Sequence, residues 1–210
     1  MLTYLFDASA AVHIYLEENK RIRKIVQYVV DQRRTYKQAL VLIPNFCVAE
    51  VFNTFARKHF KDRRLDREKY ADCVRQFGQD IHWGKTLYVY DLSRYHIVGV
   101  DEIIPIEHRV ASETERDHLS TFDILLIAMA CELAYAGRPE ETFLVTCDKR
   151  IKKVLEELKC SKEEVSADGR VIGVLDDRPA HRWLPPNVLY LPGIKAWDLP
   201  KVNRQPPLNL

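Results

Sequence analysis

The chain has 210 residues, a length that suits one domain with additions better than two. It is 47% hydrophobic and 30% charged, so it has ample apolar material for a core. A net charge of +2 is too even to argue for a nucleic-acid partner by itself, and any electrostatic case has to rest on local clusters. Five cysteines without a C-x-x-C pair fit free thiols in a reducing cytoplasm rather than a disulfide framework. The N-terminus lacks the basic and apolar regions of a signal peptide, and the longest apolar run, 124–131, is far short of a membrane span, so no membrane partner is expected.

Taken in chain order, residues 2–6 read as a short buried strand. Residues 9–17 and 20–38 read as helices, the second with Ile22, Ile25, Val26, Val29 and Val30 facing inward. The run "LVLIP" at 40–44 is a second strand stopped by proline, and Asn45 suits the N-cap of a helix over 46–60. On that helix Val48, Val51, Phe52 and Phe55 share the core face. Residues 57–82 are charged and helical in their second half, and "TLYVY" at 86–90 is a third strand. Residues 93–113 read as a helix broken near Pro105. A polar stretch then leads into a helix over 121–136, which stops at Gly137. Residues 142–146 form a fourth strand, 149–158 a helix and 187–191 a fifth strand. Asp168-Gly169 between β-formers signals a hairpin insertion near 165–175. Residues 1–193 are thus expected to form one domain, and 194–210 an irregular tail. Buried strands alternating with helices predict an α/β fold with a central, mainly parallel five-stranded sheet flanked by helices.

In such a sheet ligands bind beyond the carboxyl ends of the strands. Asp7 ends the first strand and Asp148 follows the fourth; Asp123 opens the helix before it, and Glu50 lies one turn into the helix after "LVLIP". Each acid has a plain alternative. Asp7 and Asp148 suit helix N-caps, Ser120 and Asp123 have capping-box spacing, and Glu50 lies about opposite the apolar face of its helix. Together, however, four carboxylates at one rim repel unless a cation sits among them, and a hard ion such as Mg²⁺ takes oxygen ligands.

The blocks "YLFDASAAV", "IPNFCVAEVFNTF", "LSTFDILLIAMACELA" and "FLVTCDKRI" resemble, in order, the four blocks of the PIN-domain ribonucleases. They are most similar to the toxins of Vap-type toxin–antitoxin pairs and their stand-alone relatives, and they span residues 4 to about 158. The resemblance implies a PIN-like fold and a nuclease, a hydrolase that cuts RNA phosphodiester bonds with one or two Mg²⁺ or Mn²⁺ ions. It carries the catalytic, metal-binding acids onto Asp7, Glu50, Asp123 and Asp148, with Ser9 and Thr146 as accessory hydroxyls. Single-stranded or structured RNA is the implied partner, with an antitoxin protein and a homodimer as further ones. The chain is longer than the compact toxins, with extra material around 60–118 and 160–187.

The segment 57–75 has eight lysines and arginines against four acids. It reads either as a solvated helix face or as an RNA-binding arm, with Arg57 and Lys58 as the phosphate contacts. Seven histidines show no metal-ligand spacing, so zinc is unsupported. P-loop, Rossmann and serine-hydrolase motifs are absent. Three alternatives stand beside the nuclease. A haloacid-dehalogenase-type phosphatase would want a second aspartate where Ser9 stands. The others are a catalytically weak PIN-like RNA-binding module and a toxin whose main role is its antitoxin complex.

Overall fold

The structure, a computed structural model, describes residues 1–114, 117–168, 184–195 and 198–202. Five strands, β1 (Leu2–Phe6), β2 (Ala39–Pro44), β3 (Tyr88–Tyr90), β4 (Thr142–Thr146) and β5 (Asn187–Tyr190), form one parallel sheet in the order β3-β2-β1-β4-β5. The expected α/β class and flanking helices are both present. β1, β2 and β4 are nearly continuous apolar runs because a parallel sheet between helices is buried on both faces. Leu2 pairs with Ala39 and Leu5 with Leu42. Continuing that register sets Asp7 beside Pro44, where the next helix begins.

By internal contacts the chain forms two compact units, and it changes unit within β4 and again within β5. The first comprises residues 1–92, 145–147 and 189–210. Its described helices are α1 (Ala8–Ala11), α2 (Lys20–Arg34), α3 (Asn45–Ala56) and α4 (Arg67–Trp83). α2 is capped by the Asn19 side chain and buries Ile22, Ile25, Val26, Val29 and Val30, the stripe that its periodicity predicts. Tyr15, Phe52, Phe55 and Phe77 meet edge to face between the helices. α4 ends at Gly84, whose φ of +57° is a left-handed cap, and a Cβ there would lie 2.8 Å from the Tyr88 ring. The segment after β5 is anchored too. Arg21 Nη2 donates to the Ile194 carbonyl at 2.5 Å, and Gln32 Nε2 donates to the Pro200 carbonyl at 2.7 Å.

The second unit comprises residues 93–144 and 148–188. Its helices are α5 (Arg94–Thr114), α6 (Thr121–Ala136) and α7 (Lys149–Asp168). α6 is buried around much of its circumference, from Leu126 to Ala134, which explains its nearly unbroken apolar sequence. His96 is buried and accepts the Ser93 N–H at Nδ1, so Nε2 carries the proton shared with Glu132 at 2.6 Å.

Three expectations change. α5 runs unbroken through Pro105, because the Ile103, Glu107 and Ala111 stripe is buried and α5 packs against both α6 and α7. α3 begins at Asn45, one residue before the expected start, and continues into a π-helical turn over Arg57–Lys61. α7 reaches Asp168, ten residues past its expected end. It takes up the first part of the expected hairpin, and the rest of that hairpin lies outside the described residues.

Candidate active site

β1 delivers Asp7 in extended backbone to the position before α1, yet its carboxylate makes no helix-cap bond. Its Oδ2 instead accepts two hydroxyls, Ser9 Oγ at 2.5 Å and Thr146 Oγ1 at 2.9 Å. Ser9 Oγ in turn accepts the Cys147 N–H at 3.1 Å, and the Asp7 N–H donates to the Val145 carbonyl at 3.0 Å. Asp7 is 6% exposed and Thr146 fully buried. A carboxylate so buried is tolerated only with hydrogen bonds or a cation, and these hydroxyls hold it in one orientation. Burial and the charge of Asp7 push the Cys147 thiol up to about 12, against the opposing hydrogen bond from Ser9. Cys147 is therefore a protonated thiol and not a nucleophile at neutral pH.

Glu50 comes from α3, whose start the sheet register places beside Asp7. Cys47 lies one turn earlier on the same helix face. One donor atom each from Asp7, Cys47 and Glu50 lies within 4.8 Å of the other two. Cys47 is buried, while Glu50 is exposed, so this group of donors has one solvent-facing side.

Asp123 and Asp148 belong to the second unit. The capping box read from the spacing is formed: Ser120 N–H and Oγ both donate to Asp123 Oδ2, at 3.0 and 2.8 Å, and the Asp123 N–H donates to Ser120 Oγ. Asp148 Oδ1 accepts the Arg150 N–H at 2.7 Å, and Arg150 Nη2 donates to Oδ2 at 2.6 Å. Burial raises the Asp148 carboxyl, but the Arg150 guanidinium and the N–H groups of Arg150 and Ile151 outweigh it. The net effect holds Asp148 below the usual carboxylate range. Asp148, Asp123 and Asp117 together raise the Arg150 guanidinium. Among the described residues, neither Asp123 nor Asp148 joins a set of three metal donors as close as that of Asp7, Cys47 and Glu50.

Arg57 is exposed at the start of the π-helical turn. Lys58 is buried, and its ammonium is held by both Glu18 oxygens at 2.6 Å.

Two residues of this region were not singled out in the sequence. Cys47 was hidden because a cysteine at an apolar position reads as packing. Arg150 lies inside the fourth block, and the signal was its i+2 spacing from Asp148, which lets a long guanidinium fold back onto the acid that precedes the helix.

No protein-family model matches the sequence, and no curated protein matches it. Two solved structures overlay on parts of the chain. VapBC2 from Rickettsia felis, crystallised bound to a DNA fragment from its promoter, covers 73% of this chain and 93% of its own at 12% identity and a TM-score of 0.46. PAE2754 from Pyrobaculum aerophilum covers 79% and 96% at 19% identity and a TM-score of 0.37.

Proposed function

We propose that the chain is a divalent-metal-dependent endoribonuclease of the PIN type, with residues 1–193 as its nuclease domain. The observation that carries this reading is the convergence of Asp7 and Glu50, with Asp7 fixed by Ser9 and Thr146. Two carboxylates are a hard-oxygen donor set and fit Mg²⁺ or Mn²⁺; the Cys47 thiol beside them is a soft donor and packs instead. Asp7 and Glu50 are the acids that would hold the ion. Asp123 and Asp148 complete the acid set through their place in the four sequence blocks. An ion held there would supply charge neutralisation at the phosphodiester and lower the pKa of water.

The residues of the chain supply the rest. Ser9 and Thr146 keep one oxygen of Asp7 engaged and so fix where the other points. Arg57 contacts the RNA backbone and offsets repulsion between the acids and a polyanion. Single-stranded or structured RNA in the cytoplasm is the substrate, and an antitoxin protein or a second copy of the chain are its protein partners. Among the described residues no helix is long and apolar enough to cross a membrane.

A second reading has its own observation. Arg150 occupies both oxygens of Asp148, its Nε donating to Oδ1 and its Nη2 to Oδ2, an arrangement that suits an RNA-binding module with weak catalysis. One assay separates the two: incubation of mixed RNA with Mn²⁺, with chelator, and with Asp7→Asn protein. The nuclease reading expects cleavage only by wild type with Mn²⁺. Retention of RNA without cleavage under every condition supports the binding module.

A further inference from the structure

α5 carries Ile103, Glu107 and Ala111 on one buried stripe at four-residue spacing, and the middle position is a carboxylate only 3% exposed. A buried carboxylate needs compensation. Leu119 N–H donates to Glu107 Oε1 at 2.8 Å, and His118 Nδ1 lies 3.2 Å from Oε1 and 3.1 Å from Oε2. His108, the next residue on α5, brings its ring centroid within 4.5 Å of that of His118, tilted by 48°. One donor atom each from Glu107, His108 and His118 falls within 4.8 Å of the other two.

We infer that Glu107, His108 and His118 form a transition-metal site of the Zn²⁺ class, built from different residues than the Asp7 and Glu50 pair. The 3.1 Å between His118 Nδ1 and Glu107 Oε2 suits a hydrogen bond, and it equally suits two ligands of one ion. Metal–donor bonds of about 2.0–2.2 Å set neighbouring donors roughly 3 Å apart. Two imidazoles and one carboxylate select Zn²⁺, Co²⁺ or Ni²⁺ over Mg²⁺. Leu119 N–H engages Oε1 and so turns Oε2 toward the ion, an outer-shell bond of the kind that orients metal ligands. Both histidines are exposed, which leaves an entry path and room for a water or another ligand.

An ion here would tie the link before α6 to α5. That link is already held by Arg150, whose Nη1 donates to the His118 carbonyl at 3.3 Å while its Nη2 grips Asp148. The site was invisible in the sequence because its ligands straddle the end of α5 and match no metal-binding spacing.

The test is titration of the full, chelator-treated chain with Co²⁺ alone, then displacement by Zn²⁺ or by Mg²⁺. One Co²⁺ per chain is expected at the histidines, in addition to any ion at the Asp7 and Glu50 pair that excess Mg²⁺ displaces, and the histidine-bound ion should give visible ligand-field bands and no near-ultraviolet thiolate band. Zn²⁺ should abolish those bands and excess Mg²⁺ should leave them. His108→Gln and His118→Gln should each weaken Zn²⁺ binding by at least about tenfold. Gln at 118 keeps a donor for Glu107, so the metal-free melting temperature should hold, and His82→Gln, at an exposed histidine of α4, should bind as wild type does. No Co²⁺ binding, a thiolate band, or wild-type affinity in the two variants would overturn the site.

Discussion

Thr146 donates its buried hydroxyl to the Asp7 carboxylate at 2.9 Å, joining the ends of β1 and β4 across 139 positions of sequence. The two residues stand at matching points of neighbouring parallel strands, so the contact follows from the strand order. It turns a buried acid from a liability into an oriented carboxylate.

Thr146→Val should expose the value of that bond. Valine keeps the shape and removes the donor, leaving Asp7 Oδ2 with Ser9 alone of the two hydroxyls. Stability should fall by about 1.5–3 kcal/mol, the range for a hydrogen bond to a charged group. Denaturant midpoints of the two proteins, with unchanged m-values, measure it.

Asp148 gives a pH-dependent prediction. Its carboxyl is depressed in the folded state: burial raises it, and the Arg150 contacts and backbone N–H groups more than offset that. The unfolded chain therefore binds the proton more readily. The resulting stability is fully present above the ordinary aspartate pKa and is lost as pH falls through the folded value. Arg150→Met should lower the melting temperature most at neutral pH and flatten the acid limb below about pH 5, so that the two profiles converge as pH falls. An identical acid limb in wild type and Arg150→Met would remove Arg150 from the account.

Arg57 and Lys58 are adjacent but should behave differently. Arg57→Glu should weaken RNA binding and lower the slope of log K against log salt by about one. Lys58→Met removes an ammonium already held by Glu18, so it should leave that slope unchanged and destabilise the fold by about 1 kcal/mol. Filter binding across a salt series, with melts of both variants, checks this.

Pro105 lies exposed inside α5 and lacks the N–H that the helix would use. Pro105→Ala should raise stability by about 1–3 kcal/mol, because the buried stripe of α5 already holds the helical path against the proline. A drop in melting temperature would contradict this.

Strands, helices and the order of the acids were legible because buried parallel strands leave continuous apolar runs and each acid sits at the end of one or near a helix start. Local rules failed where tertiary packing overrode them. Pro105 reads as a break, but burial of Ile103 and Ala111 keeps the helix whole. Lys58 reads as part of a charged arm, yet its partner Glu18 lies 40 positions away. Asp7 reads equally as a cap or a ligand, and only the meeting of β1 with β4 shows that its carboxylate takes Thr146 instead of the helix. Glu107 lies buried against His118 through a contact that only the fold supplies.

In the function proposed above, Asp7 and Glu50 together hold a hard divalent ion. The most direct measurement is the Mg²⁺-induced rise in melting temperature of wild type, Asp7→Asn and Glu50→Gln, since Mg²⁺ is a poor partner for imidazole and thiol. Mg²⁺ at 100 times its dissociation constant should stabilise wild type by about 2.7 kcal/mol, and either substitution should remove most of that rise while the metal-free far-ultraviolet spectrum stays native. A full Mg²⁺ shift in both variants, or no shift in wild type, would contradict the claim.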